Sequence, residues 1–237
     1  MKVKWHTDEI AWNLVIGCLN YGYLDFIKEC EVNSSQYILD WGGGKGWMAS
    51  KIKERARDKI VINLDPDINQ LKSNPKEIHC IRAVGQKLPF KDGKFAGVHV
   101  RAALHHCYTD VEICLDEIYR ILNDGGIIFI QEPLAINPLN RIARKLFSTE
   151  KHDPQERPFD PDELLKVISS RFQIIKVRYY YIFSYLLPHI ISRMPLKRVW
   201  RIFTPLLLKF DQYLLENLQF TRKYAGYIEI LGKKVRK

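Results

Sequence analysis

The sequence predicts an α/β fold, a mostly parallel sheet with helices on both faces and a helical insertion before its last strand. Three observations carry that expectation. Short β-rich runs alternate with helical stretches across residues 36–132. The first run, Tyr37-Ile-Leu-Asp40, gives way to Trp41-Gly-Gly-Gly-Lys-Gly46 and then to a helical pattern from Trp47. A second run, Ile60-Val-Ile-Asn-Leu64, ends on Asp65. A buried strand turning sharply into a helix is where an open α/β sheet presents backbone N–H groups to a ligand. Gly42, Gly44 and Gly46 permit the unusual backbone angles and close approach such a turn needs.

Taken in order, residues 8–30 read as helix, with Ile10, Leu14, Ile16, Leu19, Leu24 and Ile27 at near-helical spacing and Gly17 and Gly22 weakening it. Strands are expected at 36–41, 60–64, 78–82, 95–101 and 126–132, and helices at 46–57, 67–73 and 110–122. Asn123-Asp-Gly-Gly126 reads as the stop of the last of these helices, with Gly125 as a left-handed cap. A helix at 137–147 and a proline-punctuated loop at 148–160 lead to Asp160-Pro161, a cap followed by a first-turn proline. Phe172–Phe183 and Tyr224–Leu231 read as the last two strands. Between them, 184–223 holds two apolar amphipathic stretches, Tyr185–Ile191 and Ile202–Leu215, with Arg193, Lys197, Arg198 and Arg201 between them. The organisation expected is a helical cap (1–34), a cofactor-binding domain (35–183 and 224–237) and an insertion (184–223). No internal repeat or low-complexity segment interrupts it.

The chain has 237 residues, enough for one decorated α/β domain. Five cysteines without a C-x-x-C pair or metal-ligand spacing point to reduced thiols, a cytosol-like compartment and no metal site. No apolar run follows a basic start, so no signal peptide is expected, and none is long enough to span a bilayer. The net charge of +10 is uneven: residues 171–237 hold 14 Lys/Arg against 3 Asp/Glu, and the rest is near neutral. Such a region attracts anionic partners or is a solvated face.

The glycine loop reads G-x-G-x-G rather than the dinucleotide G-x-G-x-x-G, and Asp40 stands two residues before its first glycine. A carboxylate there repels a pyrophosphate and suits an ammonium. Asp65 suits a ribose diol. S-adenosylmethionine offers both groups and no phosphate.

The chain resembles the class I S-adenosylmethionine-dependent methyltransferases of the type 11 family. The resemblance rests on that loop, on Leu88-Pro-Phe-Lys-Asp-Gly-Lys-Phe95, on Leu104-His-His106 and on Leu115-Asp-Glu-Ile-Tyr-Arg-Ile-Leu-Asn-Asp-Gly-Gly126. It covers about residues 36–133. It implies a Rossmann-like, seven-stranded sheet ending in an antiparallel pair, with S-adenosylmethionine as cofactor and S-adenosylhomocysteine as product. It places Asp40 on the cofactor's amino group and Trp41, Gly42, Gly44 and Gly46 around the methionine moiety, although the Trp41 side chain also suits packing on the sheet. Asp65 and Pro66 fall at the ribose, with helix capping as the alternative for Asp65, and Gly85 and Gln86 at the adenine, where relatives have an acid and this chain has Val84. Ala96 is a second departure from an acid.

Arg101, at a strand end, is assigned to the cofactor carboxylate or an anionic acceptor, against an ion pair with Asp110 or Glu132. His106, which fits the family pattern best, His105 and Glu132 are the candidate catalytic residues, His as a proton acceptor and Glu132 as an orienting group. His152 and Asp153 are candidates for a lid, and one face of Tyr179–Tyr181 for the pocket. The expected acceptor is a small, hydrophobic or lipid-like molecule, and the insertion reads as a lid, a contact between copies, or an element lying on an anionic membrane. A nucleic-acid or protein acceptor using the basic region, and a non-catalytic scaffold, are the alternatives. Nucleic acid is disfavoured because no N-P-P-Y motif or RNA-binding module is present.

Overall fold

The computed structural model describes residues 21–139, 157–187 and 197–235. Seven strands form one sheet in the order β3-β2-β1-β4-β5-β7-β6. They are β1 (Tyr37–Trp41), β2 (Ile60–Asp65), β3 (His79–Arg82), β4 (Phe95–Arg101), β5 (Leu122–Pro133), β6 (Gln173–Tyr180) and β7 (Tyr227–Lys233). The first five pair in parallel, and β7 runs antiparallel to both β5 and β6. The chain builds outward from β1 to β3 and returns to set β4 beside β1. That reversal opens a crevice between the carboxyl ends of β1 and β4, where open α/β sheets bind ligands.

Strand parity sorts the core into two faces. Leu39, Trp41, Val98, Val100, Ile128, Ile130, Ile228 and Ile230 pack with Leu115 and Ile118 of α4 (Val111–Ile121) and Leu164 and Ile168 of α5 (Pro161–Ser169). On the other face, Ile38, Val61 and Phe129 pack with Phe26, Ile27 and Cys30 of α1 (Tyr21–Glu31) and Met48, Ala49 and Ile52 of α2 (Trp47–Arg55). Ala96 is fully buried in this second cluster. An acid there would enter an apolar layer, which accounts for its absence. A short α3 (Ile68–Leu71) follows β2, and a long α6 (Lys197–Asn217) precedes β7.

Several expectations are adjusted. The helix expected over 8–30 is described only from Tyr21, and Gly22 lies inside it because its missing Cβ leaves room for the Glu229 carboxylate. Gly125 does have a positive φ of 73°, but α4 has already ended and the chain enters β5 at Leu122, so Gly125 bends a strand rather than capping a helix. In the insertion the second apolar stretch forms one helix of 21 residues with Pro205 inside it. The helix expected over 137–147 and the lid residues His152 and Asp153 lie wholly or largely outside the described residues.

Arg178 of β6 joins α1 to the sheet. Its guanidinium donates to Asp25 of α1 and, at 2.7 Å, to Glu229 of β7, whose other oxygen accepts from Tyr180. Arg178 holds the Asp25 carboxyl below the usual range, whereas burial pushes Glu229 above it. Asp25 therefore adds stability that is present at neutral pH and lost as acid protonates it. Glu229 does the reverse, because its folded form takes up a proton before the unfolded chain does. Arg178→Met strands the Glu229 carboxylate and should destabilise the fold by about 3 kcal/mol at pH 7. The deficit should be smaller at pH 5 than at pH 7, because lowering the pH favours the neutral form of the stranded carboxyl. Chemical denaturation at both pH values checks the sign.

Candidate active site

The crevice is built from polar residues in register across three strands. Asp40 stands beside Asn63 of β2 and His99 of β4, all three buried on the face covered by α1 and α2. His99 Nδ1 lies 2.8 Å from Asp40 Oδ1, and an ionised carboxylate accepts, so Nδ1 carries the proton. The His99 ring is held by stacking on Phe129, with centroids 5.1 Å apart and planes 9° apart. Asp40 is thus fixed in one orientation. Its second oxygen, Oδ2, is buried without a hydrogen-bond partner, and so is Asn63 Oδ1. A Cβ built on Gly43 would fall 2.4 Å from each of them. Two orphaned acceptors therefore converge on one glycine, at a depth where an unpaired polar atom is costly. They match a cationic donor.

The glycine loop is shaped around this pair. Gly42, Gly44 and Gly46 have φ of 68°, 53° and 73°, angles that side chains rarely adopt. The Gly42 N–H donates to the Leu64 carbonyl at 2.7 Å, and a Cβ on Gly42 would strike Ala103 across the crevice. Asn63 Nδ2 and Asn74 Nδ2 both donate to the Gly44 carbonyl, at 2.8 and 2.9 Å. Asp65 Oδ2 accepts from the Gly44 N–H at 3.0 Å, and Oδ1 from the Asp67 N–H. Asp65 is therefore not the helix cap. That role falls to Asp67, which accepts from Asn69. Each Asp65 oxygen keeps further acceptor capacity for a diol.

The opposite wall is the turn after β4. Ala102 has a positive φ of 48°, strained for a residue with a side chain. The Glu132 carboxylate holds this turn from below: Oε1 accepts from the Ala103 and Leu104 N–H groups, both at 2.8 Å, and Oε2 lies 2.7 Å from His105 Nδ1. Glu132 is fully buried and spent on these contacts, so it braces the wall rather than opening toward an acceptor. His105 is buried and His106 exposed, with ring centroids 4.2 Å apart.

Residues 39–130 match the model of the methyltransferase domain family. These residues are similar to that family's domain. The demethylmenaquinone methyltransferase of Thermus thermophilus is 31% identical over 102 residues, covering 40% of this chain and 46% of that protein. The ubiquinone/menaquinone biosynthesis C-methyltransferase UbiE of Coxiella burnetii is 27% identical over 149 residues, covering 55% and 59%. The chain thus spans about half the length of these curated relatives. A solved S-adenosylmethionine-dependent methyltransferase from Archaeoglobus fulgidus shares the fold with a TM-score of 0.59 at 16% identity, covering 90% of each chain.

The cofactor implied by this similarity is S-adenosylmethionine, and the residues present fit it. The orphaned Asp40 and Asn63 oxygens suit its α-ammonium, the glycine loop leaves space, and Asp65 suits its ribose. The other residues assigned to the cofactor have partners of their own. The Trp41 side chain turns into the opposite core, where it fills the space left by the missing Cβ of Gly85. Gln86 donates its amide to Asp110 at 3.0 Å. Pro66 is exposed, with its carbonyl accepting from Arg82. Arg101 forms neither suggested ion pair, since its guanidinium lies 5.6 Å from the centroid of the Trp47 ring. Burial lowers its pKa, as befits a cation without a paired carboxylate. Of the tyrosines, Tyr180 is buried on Glu229, Tyr179 lies beneath Arg222 on the other face, and Tyr181 packs edge-on against Tyr227.

Gly43, Asn63, Asn74 and His99 escaped the sequence reading. A polar residue inside an apolar strand run, as in Asn63 of Ile60–Leu64 and His99 of Phe95–Val100, was the available signal.

Proposed function

We propose that the chain transfers the methyl group of S-adenosylmethionine to a small, lipid-like acceptor. The observation that carries this reading is the convergence of the buried Asp40 Oδ2 and Asn63 Oδ1 on Gly43, toward the carboxyl ends of β1 and β2. When bound, the cofactor supplies a methyl group on a cationic sulfur. Asp40 would hold the ammonium end, the glycine loop would border the methionine moiety, and Asp65 would hold the diol, so that the cofactor is bound at both ends. Alignment of that kind can supply much of the rate of an in-line displacement.

The acceptor loses a proton, and His105 is our candidate to take it. With Nδ1–H donating to Glu132, Nε2 is the basic nitrogen, so Glu132 is a positioning residue. A lipid-like acceptor is supported by the quinone-pathway names of the relatives.

Two experiments test this reading. Asp65→Ala should weaken S-adenosylmethionine at least tenfold by calorimetry while the fold stays cooperative, since it removes two charge-assisted hydrogen bonds to the ribose. Unchanged affinity removes the ribose assignment. Incubation with methyl-labelled cofactor and prenylated quinone precursors or a total lipid extract should carry label into the organic phase. Label appearing only in RNA or protein would overturn the acceptor class.

A further inference from the structure

The α6 helix presents its apolar side to solvent. Its inward side carries Thr204, Leu208, Asp211 and Leu215, all buried. Asp211 accepts from the backbone N–H groups of Ile182, Phe183 and Ser184 at 2.8, 3.2 and 2.9 Å, which fixes the rotation of the helix about its axis. The opposite side carries Val199, Ile202, Phe203, Leu206, Phe210 and Tyr213, between 41% and 67% exposed. At 3.6 residues per turn these six lie on one stripe about 20 Å long. Rolling the helix to hide the stripe would break the Asp211 hydrogen bonds. Phe220, in the turn that follows, is 66% exposed. A soluble surface rarely leaves so long an apolar stripe uncovered.

We propose that this face lies on an anionic lipid bilayer, with the stripe in the acyl–headgroup boundary. Charge decides between occupants. Residues 197–223 contain six Lys/Arg and two Asp/Glu, and one of the acids is the buried Asp211. A net positive charge in a segment that carries an apolar, aromatic-rich stripe is the composition of an interfacial helix, and Lys and Arg near an anionic leaflet strengthen its hold. A second copy of this chain would bring like charge against like, because residues 171–237 carry a net +11. No helix among the described residues is long and apolar enough to cross the bilayer, so the contact is along the surface. The inference stands apart from the methyl-transfer reading, since it is read without turnover.

The test is flotation of the full chain with vesicles of phosphatidylcholine alone and of phosphatidylcholine with phosphatidylglycerol. Binding to the second and much less to the first is expected, weakening as salt is raised. Phe203→Glu with Phe210→Glu should lower partitioning at least tenfold. Both side chains are exposed and outside the crevice, so melting temperature and cofactor titration should not move. Failure of the wild-type chain to float on anionic vesicles overturns the proposal, as does equal flotation of the variant. A dimer that the variant converts to monomer assigns the face to a second copy and also overturns it.

Discussion

Asp40→Asn should weaken S-adenosylmethionine and S-adenosylhomocysteine by about a hundredfold, the equivalent of one buried charge-assisted hydrogen bond plus its charge. The same change should leave 5′-methylthioadenosine, which has the adenosine but no ammonium, within about threefold. Asp40 has one oxygen committed to His99 and one committed to nothing, and the free oxygen faces Gly43. In the ligand-free protein that oxygen is a liability. The melting temperature of Asp40→Asn without ligand should therefore hold or rise, the usual trade of stability against function. Gly43→Ala tests the same geometry sterically, because its Cβ would sit 2.4 Å from both orphaned acceptors. A uniform loss across all three ligands would place the defect in the loop as a whole rather than at the ammonium.

Glu132→Ala should cost about 4 kcal/mol and lower the melting temperature by about 10 °C. The carboxylate is fully buried and serves the Ala103 and Leu104 N–H groups and His105 Nδ1. Its loss leaves those donors unsatisfied and frees the strained Ala102 turn that faces Gly42. Glu132→Gln separates bracing from chemistry. The amide oxygen can still accept from the two N–H groups, but the amide nitrogen cannot accept from Nδ1, so His105 is driven to the tautomer with its proton on Nε2. Cofactor affinity should stay within about threefold while turnover falls about a hundredfold or more, the scale of general-base catalysis. Turnover that survives Glu132→Gln would show that alignment alone suffices and that His105 is structural.

The sheet was legible because its strands are continuous apolar runs that end at Asp40, Asp65, Arg101 and Glu132. Such runs mark strands buried on both faces. The loop was legible because its glycines occupy positions that require positive φ. The pairing of Asp40 with His99 was not legible, since it depends on register: 59 residues separate them in sequence. Strand parity alone places His99 on a face, not beside a partner. Gly43 was passed over because its φ is ordinary. Its constraint is the proximity of Asn63 and Asp40, which no local pattern reports. The partners of Gln86 and Trp41 were hidden for a similar reason. Their sequence neighbourhood is that of a cofactor contact, but Asp110 and Gly85 engage them first. The insertion's apolar residues were legible as an amphipathic helix, whereas the side they face is set by the buried Asp211.

The crevice between β1 and β4 is expected to recognise an amino-acid-bearing nucleoside rather than a dinucleotide. Calorimetric titration of the purified chain with S-adenosylmethionine, S-adenosylhomocysteine and NADH tests it most directly. Micromolar binding of the first two, with no heat from NADH, is the result predicted. Binding of NADH, or of none of the three, would contradict it.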